Sequence, residues 1–141
     1  MTTFEAILFL AVSLHQDRAA DYAEWIDNQA AILEIDPLLV VALIHHESRF
    51  KTKARKGGNY GLMQVRVSKS NYRALLGREH ILYRPRANIR LGMKLLAWWR
   101  DYHHKYCLGG HPWWAHYQHG RKVRSKASAL RVAKTYKELT R

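Results

Sequence analysis

A single cysteine, Cys107, is all the chain contains, so no disulfide forms within it and no covalent brace holds the fold. His103, His104 and His111 stand near it in sequence as potential bases, but no other sign of a catalytic thiol accompanies them. Cys107 therefore reads as a small apolar residue, buried or half-buried. Proline is scarce as well, at three residues, which leaves long stretches free to be helical. No apolar run reaches the roughly 18 residues that a membrane-spanning helix needs. Acids run short after residue 47. Residues 1 to 47 hold eight of them against one basic residue, Arg18, whereas residues 48 to 141 hold 23 Lys and Arg against only Glu79, Asp101 and Glu138. The net charge of +13 thus belongs to the later segments, whose field attracts polyanions.

What the sequence does contain is enough for one core. At 141 residues, 48% hydrophobic and with five Trp, it has material for a single compact domain and no room for a second. Apolar periodicity predicts helices over Thr3 to Leu14, Arg18 to Leu33, Pro37 to Phe50, Lys69 to Leu76, Asn88 to Tyr106, Trp113 to His119 and Ser125 to Leu139. Lys51 to Tyr60 and Gly77 to Arg86 read as loops, broken by Gly57-Gly58 and Pro85. Val65 and Val67 alternate with Gln64 and Arg66, so a short strand or hairpin is expected within Asn59 to Val67. The fold class is mainly α, a helical domain with at most a small β-hairpin. Phe4 to Leu14 is apolar enough to imitate a signal-peptide core, and Ala11-Val12-Ser13 a cleavage site. Met1 to Glu5 lacks the basic residues of a signal, so residues 1–21 are expected to supply a packed N-terminal helix ahead of a 22–139 core.

Glu47 is the candidate catalytic group. Asp36 is a good N-cap, Pro37 suits the first helical position, and Val40, Leu43, Ile44 and Glu47 share one helix face. A carboxyl at a helix C-terminus among apolar neighbours is pushed toward its protonated form by the dipole and by desolvation. Held protonated near neutral pH, it can donate to a leaving group. His45 and His46 adjoin it in sequence but point off its face.

The surrounding segments resemble the soluble lytic transglycosylase family, related in fold to goose-type lysozyme. Glu47-Ser48-Arg49-Phe50, Gly61-Leu62-Met63-Gln64-Val65 and Asn88-Ile89-Arg90-Leu91-Gly92 carry the likeness. Ile35 to Ile44 lies upstream, and His116-Tyr117-Gln118-His119-Gly120 downstream. The likeness covers about Tyr22 to Leu139 and implies an α+β, lysozyme-like fold. It also implies cleavage of the β-1,4 bond between N-acetylmuramic acid and N-acetylglucosamine in peptidoglycan, without metal or cofactor. Glu47 would protonate the glycosidic oxygen and then, as a base, draw in the C6 hydroxyl to close a 1,6-anhydro ring. Gln64 and the backbone about Met63 would contact N-acetyl groups, Tyr117 would stand near Glu47, Tyr60 would add a stacking face, and Gln118 would line the site. Ser48 is expected to brace its own helix end, Asn88 to cap a helix and Gly92 to allow close packing.

Three positions depart from the family pattern: Gln118 replaces a usual Asn, His119 a small residue, and Arg66 follows where Met-Pro is common. Arg55 and Lys56 lie near the place of a Ser that helps hold the acetamide. Hydrolysis by water, the lysozyme outcome, is therefore the alternative on the same fold. Two binding readings stand beside it. In the first, a basic nucleic-acid module, the Trp98-Trp99 and Trp113-Trp114 pairs would supply stacking faces. In the second, a wall-binding protein holds polysaccharide without turnover. Glycan strands and anionic wall polymers are the expected partners, with no nucleic acid expected and a monomeric enzyme. Its place of action would be the periplasm or wall, with a phage lysis or virion enzyme as the expected origin. Nine His, with His103-His104, His111, His116 and His119 close in sequence and the last two at i, i+3, raise the question of zinc, but no His-Glu-x-x-His occurs, the lone Cys offers little, nearby acids are few, and no metal site is expected.

Overall fold

The Leu38 amide donates to Asp36 Oδ1 at 2.9 Å and Pro37 takes the first helical position, so the helix that carries Glu47 begins where the sequence predicts. The computed structural model describes residues 1–107 and 109–141. Its helices are α1 (Thr3–Leu10), α2 (Gln16–Leu33), α3 (Pro37–Ser48), α4 (Pro85–Tyr106), α5 (Ala115–His119) and α6 (Ala127–Leu139). α1, α2 and α6 all pack on α3. Enclosed on several sides, α3 buries every residue from Leu39 to Ile44 rather than one stripe. α1, started by a Thr2–Glu5 capping box, buries Ala6 and Ile7 against its neighbours.

Between α3 and α4 lies a three-stranded antiparallel sheet in the order β1 (Arg55–Lys56), β2 (Asn59–Tyr60), β3 (Val65–Arg66). Gly57, at φ +60°, and Gly58 turn β1 into β2, pairing Arg55 with Tyr60 and Lys56 with Asn59. Tyr60 pairs with Val65 across the second interface. The expected segment therefore holds two of the three strands, β2 and β3, as a hairpin, and the stretch before it, read as a loop, supplies the third, β1. Val65 and Val67 are buried and Arg66 exposed, as alternation requires, but Gln64 turns inward from a left-handed backbone at φ 51°.

Three sequence expectations change. No helix spans Lys69 to Leu76, where only Arg73–Leu75 forms a 3-10 turn. The Ser68 hydroxyl there accepts from the Ser70 and Asn71 amides, offering the backbone a turn in place of a helix. Pro85 does not break structure but occupies the first position of α4, and a 3-10 turn, Glu79–Tyr83, precedes it. Asn88 is not a cap, since Arg84 holds that position. It lies inside α4, fully buried, donating from Nδ2 to Tyr60 O at 2.7 Å and Leu82 O at 2.9 Å, and accepting from the Met63 amide at 2.8 Å. Elsewhere helix ends differ by a turn or less: α1 stops at Leu10, and α3 stops because Arg49 and Phe50 both turn left-handed.

Gly92 does serve close packing. A Cβ there would lie 2.6 Å from Met63 Sδ. One at Gly61, where φ is +76°, would strike Asn88 Nδ2 at 2.2 Å. These two glycines and Asn88 seat the Gly61 to Val65 segment on α4, beneath the candidate site.

Candidate active site

Glu47 is the second-last residue of α3 and half-buried. Burial raises its carboxyl pKa above the ordinary 4.5, opposed by a hydrogen bond from Gln118 and by the charge of Lys56. Gln118 Nε2 donates to Glu47 Oε1 at 3.1 Å. The Gln118 amide is oriented in turn by Ser128 of α6, whose hydroxyl donates to Gln118 Oε1 at 3.2 Å. Three helices, α3, α5 and α6, thus converge on the carboxyl. Ser48 donates to Ile44 O at 3.3 Å and braces its own helix end. His45 faces Arg49 and His46 faces Thr135, so the hydrogen bonds of both rings run away from Glu47.

Tyr117, next to Gln118 on α5, donates its hydroxyl to Met63 O at 2.7 Å. Burial, then the Glu47 charge and Tyr72, push its pKa well above the ordinary tyrosine range, so it remains a neutral donor. The Met63 side chain is fully buried core, and its backbone carbonyl is the group that faces Tyr117. Gln64 spends its amide hydrogens on Ala54 O at 3.0 Å and Gly61 O at 2.9 Å, closing the sheet loop from inside. Tyr60 is buried, with the Arg55 guanidinium 5.3 Å over its ring and Tyr83 edge-on at 6.1 Å. The geometry therefore brings Glu47, Tyr117, Gln118 and the Met63 carbonyl together. It leaves Gln64 and Tyr60 as supports of the loop beside them.

A cleft of about 1090 Å³ opens along this wall. Tyr117 and Gln118 line it, with Asn59 and Arg66 from the sheet, Lys94 and Trp98 from α4, and Arg121. Glu47 stands one hydrogen bond behind Gln118. Trp98 is 50% exposed and stacks on Tyr102 with the ring planes 14° apart, presenting an aromatic surface to the cleft. Its sequence neighbour Trp99 also borders the cleft but is largely buried, so Trp98 carries most of the exposed aromatic surface of that pair. Sequence reasoning did not find Ser128, whose only signal is its position across from Gln118 in the folded chain.

The three acids that follow Glu47 are engaged or exposed elsewhere. Glu79 accepts from the Gly77 amide, Asp101 pairs with Arg100 at 3.0 Å, and Glu138 is exposed on α6. None of them contributes to the perturbation of Glu47, whose charged influence is Lys56. The carboxyl accordingly lies beside a tyrosine and an amide.

A carboxyl of raised pKa on a buried helix, facing an aromatic and amide pair beneath a Gly-Leu-Met-Gln loop, agrees with the family profile described as Transglycosylase SLT domain, which matches residues 24–136. The chain belongs to that family. Its fold is accordingly the mainly helical, lysozyme-like one that the resemblance implies. SLT domains act on cell-wall peptidoglycan as transglycosylases or lysozyme-like glycosidases. No solved structure matches the chain significantly. No described helix is long and apolar enough to cross a membrane. Away from the cleft carboxyl, one group of described side chains has the chemistry and spacing of metal ligands: His103, Cys107, His111 and His116.

Proposed function

We propose that Glu47 alone performs acid and then base catalysis on the glycan strand, leaving a 1,6-anhydromuramoyl end. The observation that supports this most is the half-buried carboxyl, biased toward protonation by burial and held by Gln118, while the later acids bond elsewhere or lie exposed. A two-carboxylate glycosidase needs its second acid across the scissile bond, and substrate-assisted glycosidases dispense with it.

In this reading protonated Glu47 gives its proton to the glycosidic oxygen, and the bond from that oxygen to the muramoyl C1 breaks. The substrate's own acetamide stabilises the developing cation. The carboxylate then accepts the C6 hydroxyl proton as that oxygen bonds to C1, which restores the acid without metal or cofactor. Tyr117 fixes the Met63 carbonyl at the edge of the site and supplies a neutral polar wall. Trp98 offers a sugar-stacking face, and Arg66, Lys94 and Arg121 draw in peptide carboxylates and anionic wall polymers.

Digestion of purified peptidoglycan by the wild type and by Glu47→Gln, followed by mass spectrometry of the released muropeptides, tests this. Anhydro ends from the wild type and none from the variant are the expected result. Reducing ends would assign hydrolysis instead, and equal release by the variant would remove Glu47 from the chemistry.

A further inference from the structure

We infer that His103, Cys107, His111 and His116 form a tetrahedral zinc-class metal site that clips the end of α4 to α5. One ligand atom from each lies within 4.8 Å of all the others. His103 Nδ1 and His116 Nε2 are 3.1 Å apart, and Cys107 Sγ and His111 Nε2 are 3.4 Å apart. An ion bound at ~2.0–2.1 Å to nitrogen and ~2.3 Å to sulfur in a tetrahedron separates its donors by roughly 3.3–3.7 Å. Both close pairs therefore have nearly the spacing that one shared ion imposes. This gathering revises the sequence expectation of no metal site. That expectation weighed His103-His104, His111, His116 and His119 and set the lone Cys107 aside, but His119 is exposed and faces Ser128.

The surroundings orient the donors. His111 Nδ1 meets Pro112 O at 3.0 Å, and His116 Nδ1 meets Gly120 O at 2.9 Å. An Nδ1–H that donates to a carbonyl fixes the tautomer and leaves the Nε2 lone pair facing the cluster, as outer-shell partners of metal-bound imidazoles do. The Gly109 amide donates to Cys107 Sγ at 3.4 Å, a contact that favours a thiolate. A Cβ at Gly109 would lie 2.9 Å from the His111 ring, so a side chain there would push that ring from its place. Three imidazoles and one thiol, a nitrogen-rich and moderately soft set, suit a tetrahedral zinc-class ion with four protein ligands and no open position. Binding converts the Cys107 thiol to a metal thiolate and releases its proton to solvent.

Placement gives the site a purpose. His103 and Cys107 end α4, His111 sits in the connection, and His116 is the fully buried residue next to Tyr117 and Gln118. α5 has only five residues, too short to hold its own orientation. The clip adds a second hold on α5 besides the Ser128 contact with Gln118, as a positioning element rather than a catalytic one. The inference does not depend on which bond the enzyme cuts, because its readout is the metal itself.

The test is to titrate the chelator-treated full chain with cobalt(II) and with zinc. Expected are about one ion per chain, tetrahedral d–d bands with a thiolate-to-cobalt charge-transfer band, and zinc slowing alkylation of Cys107 by iodoacetamide roughly tenfold or more. His104→Ala should leave all three unchanged, whereas His111→Ala should weaken binding and Cys107→Ser should abolish the charge-transfer band. Should either variant misfold, the wild-type alkylation assay decides by itself. No stoichiometric binding, octahedral cobalt spectra, or alkylation indifferent to zinc would overturn the site. Those results would leave a hydrogen-bonded histidine and thiol cluster.

Discussion

Gln118 donates to Glu47 across 71 residues of sequence, from α5 to α3, and that bond opposes the upward push of burial on the carboxyl. Removing it has a definite sign. In Gln118→Ala the charged form of Glu47 loses a donor, so the pKa rises further and the protonated acid persists to higher pH. The alkaline limb of the kcat/KM profile on peptidoglycan should move up in pH, with the rate at its optimum lowered several-fold because the carboxyl is less well oriented. A limb that stays in place or moves down would show that the amide does not tune the acid.

Glu47 itself should cost stability at neutral pH. Its folded pKa lies above the ordinary 4.5, so between that value and the folded pKa the native chain retains a proton that the unfolded chain releases. Stability therefore falls as pH rises through that window, by ~1.4 kcal/mol for each unit of displacement, and is fully present below it. Glu47→Gln lacks the ionisation. Urea unfolding at about pH 7 should find the variant gaining on the wild type relative to the same comparison at about pH 4. A gap that is constant between the two pH values would mean the carboxyl is no more desolvated in the folded chain than in the unfolded one.

Much of this site is legible in the sequence for local reasons. Asp36-Pro37 starts α3 through contacts within two residues, and the uninterrupted apolar run to Ile44 marks a helix enclosed by others, which fixes where Glu47 emerges. Local reading fails where partners are remote. Asn88 looks like a cap beside Pro85, and only the fold reveals that it binds residues up to 28 positions away. Tyr72, Leu75 and Leu76 have helical spacing, yet the Ser68 hydroxyl captures the preceding amides. His103, Cys107, His111 and His116 fit no familiar motif because the chain must reverse between α4 and α5 before they meet.

Asn88 supplies the next expectation. Its side chain satisfies the Met63 amide and the carbonyls of Tyr60 and Leu82 in a fully buried setting. Asn88→Ala strands all three. At about 1–3 kcal/mol for each buried group left unpaired, with partial relief from water, a loss of ~3 kcal/mol or more is expected in urea unfolding. Asn88→Asp should be equally harmful, since it keeps the acceptor for Met63 but sets a carboxylate against two carbonyl oxygens. A change below about 1 kcal/mol in both variants would show that the loop is held by other means.

Gly92 and Met63 make the last expectation, and it separates packing from chemistry. A methyl group at position 92 would lie 2.6 Å from Met63 Sδ and 2.8 Å from Met63 Cβ. The sulfur is the end of a flexible chain, but the Cβ moves only with its backbone, which is the same backbone whose carbonyl accepts the Tyr117 hydroxyl. Gly92→Ala should therefore destabilise the fold by about 1–3 kcal/mol, the usual cost of overpacking, despite the gain in helix propensity from losing a glycine. Activity on peptidoglycan should fall as well, because displacing the Met63 carbonyl disturbs Tyr117 and with it the wall beside Glu47. Shortening the obstacle in Gly92→Ala/Met63→Ala relieves the sulfur contact but not the Cβ contact. The double variant should thus recover little stability beyond the cavity it creates, and its coupling in a double-mutant cycle should remain small. If Gly92→Ala instead proves as stable and active as the wild type, the Gly61 to Val65 segment can shift on α4 without consequence, and its seating is not what places Tyr117.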